Sequence, residues 1–180
     1  MNVISKHQKA IFCFLLCLVI FTGSWMSATV YEIRMKGYTD FSVSYIEKIN
    51  IDSVSVFSSI KNLEKFNAVK QVKLNLKIDY AFMIGIYPLI GLWLLMIRKR
   101  IRRWLQVVLL VLAILQIFAF ISDAMENYYL LNSIKHITPP FGFSTFQIFV
   151  NAKWIIAIAG SAAAFMTCIF KPMVREEITP

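Results

Sequence analysis

The chain has 180 residues, 58% of them hydrophobic and 16% charged, with a formal net charge of +9. That is too little polar surface to cover a soluble domain of this length, so lipid is the expected solvent. The charge does not indicate nucleic acid: five of the nineteen basic residues stand in one run, RKRIRR (98–103), between apolar stretches, and no recognition helix, RNP-like aromatic pattern or zinc spacing accompanies them.

Scanned against a hydrocarbon core about 30 Å thick, which takes roughly twenty helical residues to cross, the chain offers four apolar runs. The first covers residues 10–31 and follows Lys6 and Lys9. It reads as a membrane span. The alternative is a secretory signal, because small residues lie near Ala28, although Met26 fits a cleavage site poorly. Leu16 before Cys17 excludes a lipoprotein motif.

Residues 32–78 form the one sizeable stretch outside the apolar runs. FSVSY (41–45) alternates like a short strand. Asp52 then has the form of a helix N-cap, with Val56, Phe57, Ile60 and Leu63 at helical spacing after it. A short amphipathic helix is predicted here, lying on the bilayer surface or over the bundle mouth. VKQVKLNLKI fits both strand alternation and a helical approach to the second span.

The second run, 79–97, contains Pro88, which removes a backbone hydrogen bond and favours a kink. The third, 104–122, follows the basic turn. The fourth, 145–170, has Pro139 and Pro140 before it, and Ser144 with Gln147 three residues on has the form of a capping box. Long continuous apolar runs suit helices rather than barrel strands. The predicted fold is all-α: a four-helix transmembrane bundle forming one integral membrane domain over residues 1–180, with a loop of about 48 residues on the outer face.

Orientation is finely balanced. Each face would carry nine basic residues. Those on the side of the termini crowd against helix ends, while most of the others are spread through the long loop. That density favours cytoplasmic termini in a multi-pass membrane protein. Cys13, Cys17 and Cys168 are expected as buried small apolar residues, with no C-x-x-C pair for thiol chemistry. His7 and His136 cannot face one another across the membrane to hold haem, so no cofactor and no metal are expected. G-x-S-x-G, H-E-x-x-H and a Walker A lysine are all missing.

The informative residues are polar ones placed among apolar neighbours. Asp123, Glu126 and Asn127 stand at i, i+3 and i+4, so they share a helix face if the third helix continues past Ser122. Asp79 opens the second span at the same end, and Lys153 lies early in the fourth. An ion buried in a bilayer needs a partner, so Lys153 is expected to pair with one or more of Asp79, Asp123 and Glu126. Tyr87 and Gln116, one tier deeper, are expected to hydrogen-bond across the second and third helices. The cluster reads first as a structural clasp that fixes helix register. An alternative is a membrane-embedded enzyme or binding protein acting on a lipid or small amphiphile, with Asp123 and Glu126 sharing a proton as an acid and base pair in a cleft open to the outer face. A transporter, which with four spans would be an oligomer, is a third reading. Membrane lipids are the expected partners. The small residues 160–164 fit internal helix packing or a homo-oligomer contact.

SSIKNLEKF, KIDYAFMIGIYPLIGL, ISDAMENYYLL and NAKWIIAIAG, taken in that order, together resemble a family of small four-span membrane proteins. Its marks are Asp-x-x-Phe and a Tyr in the second span, Asp-x-x-Glu-Asn at the end of the third and Lys-Trp in the fourth. The matching positions are Asp79, Phe82, Tyr87, Asp123, Glu126, Asn127, Lys153 and Trp154. The resemblance implies a four-helix membrane fold and brings no activity with it.

Overall fold

The computed structural model describes residues 6–35, 67–98, 101–135 and 141–169. Every regular element among them is a helix: α1 (Lys6–Met35), α2 (Val69–Arg98), α3 (Arg103–Ile134) and α4 (Phe143–Ile169). All four are long and apolar enough to cross a membrane. Over the described residues the chain is an all-helical, four-span bundle, in which each crossing satisfies its own backbone. The strand and the amphipathic helix expected within 32–78 fall outside the described residues, as does His136.

Helices adjacent in sequence pack side by side, and α2 also packs on α4. Side-chain bonds fix the directions. Asn75 near the start of α2 meets Met26 near the end of α1, Asn127 late in α3 meets Asp79 in the first half of α2, and Lys153 in the first half of α4 meets Glu126 late in α3, so neighbours run antiparallel. α2 is the hub, with buried residues on several faces, whereas α1 leaves Phe14, Ile20, Phe21 and Tyr31 exposed. The buried positions of α1 are Leu15, Thr22, Thr29 and Ile33. The first three recur every seven residues, the repeat that keeps one seam facing a partner helix. At that seam a Cβ on Gly85 would stand 2.8 Å from Val19 Cγ2, so only glycine allows α1 this close.

Three expectations need correction. Cys13 and Cys17 are exposed on α1 rather than buried, because they lie off its seven-residue seam. α4 begins at Phe143, so Ser144 stands inside the helix and is not its cap; Phe146 N–H donates to the Gly142 carbonyl instead. The largest change concerns length. α2 starts ten residues before Asp79 and α3 runs twelve past Ser122. VKQVKLNLKI is helix, with Val72, Asn75, Leu76 and Asp79 buried on one face.

These added turns build a core of their own. Val72, Leu76, Leu130, Ile134, Phe146 and Val150 pack there with Ile33 from the end of α1. Tyr129 lies against Phe146 at a centroid distance of 4.5 Å, and Phe143 stands 5.6 Å from Phe146. The lipid boundary can be read from the exposed face of α2, where Lys70 and Lys77 give way to Ile84, Pro88 and Leu95. Hydrocarbon therefore begins just past Lys77, and the aromatic core stands largely beyond it. A second core of Ile90, Leu94, Leu109, Ala113 and Ala164 fills the opposite half of the bundle.

The extended α2 also removes a premise of the orientation argument. Arg34 closes α1, while Lys70, Lys73 and Lys77 stand on α2 itself. Basic residues thus abut helix ends on both faces, and what still separates the two is the density of the single turn 98–103, with five basic residues in six.

Candidate functional site

Between the two cores lies a layer of buried polar side chains. Asp79 is ten residues into α2, Lys153 is ten residues into α4, and Asp123 is eleven residues before the end of α3. At 1.5 Å per residue each is about 15 Å from its helix end, so three helices deliver these groups to one level. The cluster sits within continuous helices, roofed by the aromatic core. It is not at the helix ends, where the apolar runs alone would place it.

The pairing that charge burial demands is present. Lys153 Nζ lies 2.8 Å from Asp123 Oδ1 and 2.8 Å from Glu126 Oε2. All three residues are buried, Glu126 completely. An ammonium held by carboxylates from a neighbouring helix offsets much of its desolvation, which alone costs several kcal/mol. The i, i+3 spacing of Asp123 and Glu126 lets one lysine reach both. Tyr87 Oη donates to Asp123 Oδ2 at 2.8 Å, which joins α2 to the pair.

A second bond runs beside it. Asn127 Nδ2 donates to Asp79 Oδ2 at 2.6 Å and lies 3.4 Å from Met83 Sδ. Tyr80 Oη reaches the Ala124 carbonyl at 3.4 Å. Each bond crosses from α2 to α3, so the two helices are tied at consecutive turns.

Gln116 departs from expectation. It does not bridge to α2: its Nε2 donates to the Leu112 carbonyl of its own helix and to the Ile156 carbonyl of α4, each at 3.3 Å. The cause is Gly160, which is buried against Gln116; a Cβ there would collide with the amide and stand 3.2 Å from Ile90. The small-residue run is thus divided by face. Gly160 and Ala164 are buried, while Ser161 and Ala162 are exposed.

Several contributors escape a reading of the apolar runs. Asn75 Nδ2 donates to Thr29 Oγ1 and to the Met26 carbonyl of α1. Asn75 lies one helical turn before Asp79, so helical spacing would have found it had α2 been extended upstream. Met83, a thioether among apolar residues, carried no comparable signal.

Among the described residues the cluster opens along the side of the bundle. Asp79, Tyr87, Asp123 and Lys153 line one end of a groove of about 720 Å³. Ile86, Ile90 and Trp93 of α2 form its floor, Ile158, Ala162 and Phe165 of α4 one wall, and Met26 of α1 part of the other. Ile158, Ala162 and Phe165 are exposed, so the groove faces the surrounding lipid. From Asp79 to Trp93 it runs fourteen residues, about 21 Å. Trp93 marks its far end, with Phe12 edge-on at 6.3 Å. Glu126 does not line the groove. Among the described residues no group of three or more His, Cys, Asp or Glu side chains is placed to hold a metal ion.

No family model matches the chain, and neither a curated protein nor a solved structure matches it. The four-span family that its motifs resemble gains no support there, so the site rests on its geometry.

Proposed function

We propose that this integral membrane protein binds an amphiphile from the bilayer, with the polar head at the cluster of Asp79, Tyr87, Asp123 and Lys153 and part of one hydrocarbon chain along the groove between α2 and α4. The observation that carries the reading is the lateral opening. A clasp serving only to fix helix register has no need of a 720 Å³ groove ending on it. The groove is about 21 Å long in all. Past Tyr87 the stretch to Trp93 covers six residues, about 9 Å, so the groove takes a polar head and part of an acyl chain. In this reading the ion pairs still lock α2, α3 and α4 together, and their rigidity holds the polar end in place.

Binding is favoured over catalysis by the disposition of the carboxylates. Glu126 is enclosed and away from the groove, and both oxygens of Asp123 are engaged, one by Lys153 and one by Tyr87. An acid and base pair needs a carboxyl group free to exchange a proton with the substrate. The enzyme alternative predicts that Glu126→Gln abolishes an activity without changing abundance or thermal stability. The oligomeric transporter predicts crosslinked species larger than one chain.

The direct test fills the groove. Ala162→Trp adds a large side chain on an exposed wall. Mass spectrometry of purified protein should then lose an amphiphile that co-purifies with the natural chain, with thermal stability in detergent unchanged. Retention of the same amphiphile by Ala162→Trp would refute the proposal.

We place the termini in the cytoplasm, on the strength of five basic residues within the six of the turn 98–103. Labelling a cysteine introduced at Lys135 from the outside of intact cells tests this. Label that enters only after permeabilisation reverses the assignment.

A further inference from the structure

The lysines at the start of α2 belong neither to the buried cores nor to the groove. Lys70, Lys73 and Lys77 recur at spacings of three and four, so they share one helix face. With Asn67 and Leu74 they line a hollow of about 610 Å³. Among the described residues, none of the three makes a hydrogen bond or ion pair. Like charges this close along a helix disfavour it by a few tenths of a kcal/mol per pair. Nothing among the described residues recovers that cost.

The rest of this face indicates what does. Two residues past Lys77 the helix has turned by about 200°, which carries Asp79 away from the lysines and into the bundle. Along the lysine face, the ammonium groups are followed by Ile84, Pro88 and Leu95, all exposed. The face thus presents a row of cations at the level of the headgroups and bare apolar surface at the level of the acyl chains. Its order of charge and grease is that of a phospholipid with an anionic head. Each juxtamembrane lysine gains about 1 kcal/mol beside anionic lipid.

We infer that Lys70, Lys73 and Lys77 form a docking site for an anionic phospholipid, whose phosphodiester lies among the ammonium groups while an acyl chain follows Ile84 and Pro88. The site stands on the opposite face of α2 from the groove and is independent of what the groove holds. A lipid seated there would fix α2 at its boundary with the headgroups.

Purified full-length protein in neutral detergent, titrated with phosphatidylglycerol and separately with phosphatidylcholine, tests this by native mass spectrometry. Phosphatidylglycerol should bind more tightly. Lys70→Gln, Lys73→Gln and Lys77→Gln combined should weaken it about a hundredfold, to the level of phosphatidylcholine, or about fivefold for each lysine alone. The three corresponding Lys→Arg replacements should preserve binding, and raised salt should weaken it. Thermal unfolding identifies a triple variant that has lost its fold, and the single Lys73→Gln variant then supplies the comparison. The inference is overturned if the glutamine variants keep their preference for phosphatidylglycerol. It is also overturned if inorganic phosphate at millimolar concentration displaces the lipid, which would mark a site for free phosphate, or if neutralising Arg98, Arg102 and Arg103 instead removes the preference.

Discussion

α1 and α4 both pack against α2, and each is apolar over more than one bilayer thickness, yet they are held by different chemistry. α4 brings an ammonium to two carboxylates of α3 and a carbonyl to Gln116. α1 brings Thr29 and the Met26 carbonyl to Asn75, and a close seam at Gly85. Lipid tails are as apolar as leucine, so burial alone gives little reason for one membrane helix to prefer another over lipid. What remains is packing and polar contact. By that measure α2, α3 and α4 form an electrostatically locked trio, and α1 is a neighbour attached by neutral bonds. The difference matters for the groove, since α4 supplies a wall tied by charge and Met26 of α1 part of one held by packing and neutral bonds.

The comparison breaks most completely at Lys153. Lys153→Met leaves Asp123 and Glu126 buried without their shared cation, at a cost of about 3–5 kcal/mol. The folded fraction recovered in mild detergent should fall sharply, and a variant as stable as the natural protein would show that the trio is not locked by charge. Asp123→Asn is expected to cost less, about 2 kcal/mol, because Glu126 still neutralises Lys153 and the new amide oxygen can still accept from Tyr87. Thermal unfolding followed by circular dichroism should rank the two in that order. Gly160→Leu tests packing rather than charge. It forces α4 away from Gln116 and Ile90 at about 1–3 kcal/mol, and the equivalent crowding at exposed Ala162 should cost almost nothing.

Much of this was legible in the sequence, and the part that was not has a physical reason. Four spans follow from run length alone, because hydrocarbon admits few other backbones. The meeting of Lys153 with Asp123 and Glu126 followed from the cost of burying a lone charge, which leaves the chain few options. The limits of α2 and α3 did not follow. Lys70, Lys73 and Lys77 dilute the hydropathy of a segment whose other face, with Val72, Asn75 and Leu76, is core. Hydropathy averaged along the chain cannot separate the faces of a helix that leaves the bilayer still packed. The groove was out of reach for a related reason. Ser161 and Ala162 differ from Gly160 and Ala164 in facing, which depends on the rotation of α4 about its axis, and that rotation is fixed by Gln116 against Gly160. Tyr87 was found because a phenol in mid-membrane must meet an acceptor. Its partner, Asp123, became clear only once the register of α2 on α3 was known.

The smallest expected effect bears most directly on α1. Asn75→Ala removes the bonds to Thr29 and the Met26 carbonyl. Interhelical hydrogen bonds in membranes contribute about 0.6 kcal/mol on average and at most about 1.7, so global unfolding should shift by no more than a few degrees. Thr29 loses little, because its hydroxyl already donates to the Met26 carbonyl of its own helix. The effect should instead be local. With a cysteine placed at Val19 and another at Gly85, disulfide formation across the seam reports how closely α1 sits; replacing Gly85 perturbs the contact, so Gly23 paired with Phe82, which face each other on the same two helices, is a useful second position. Asn75→Ala should slow crosslinking between α1 and α2 and leave crosslinking between α3 and α4 unchanged. An equal loss at both contacts would mean that α1 is integral to the locked trio, and that the bundle unfolds as one unit of four helices rather than three with a neighbour.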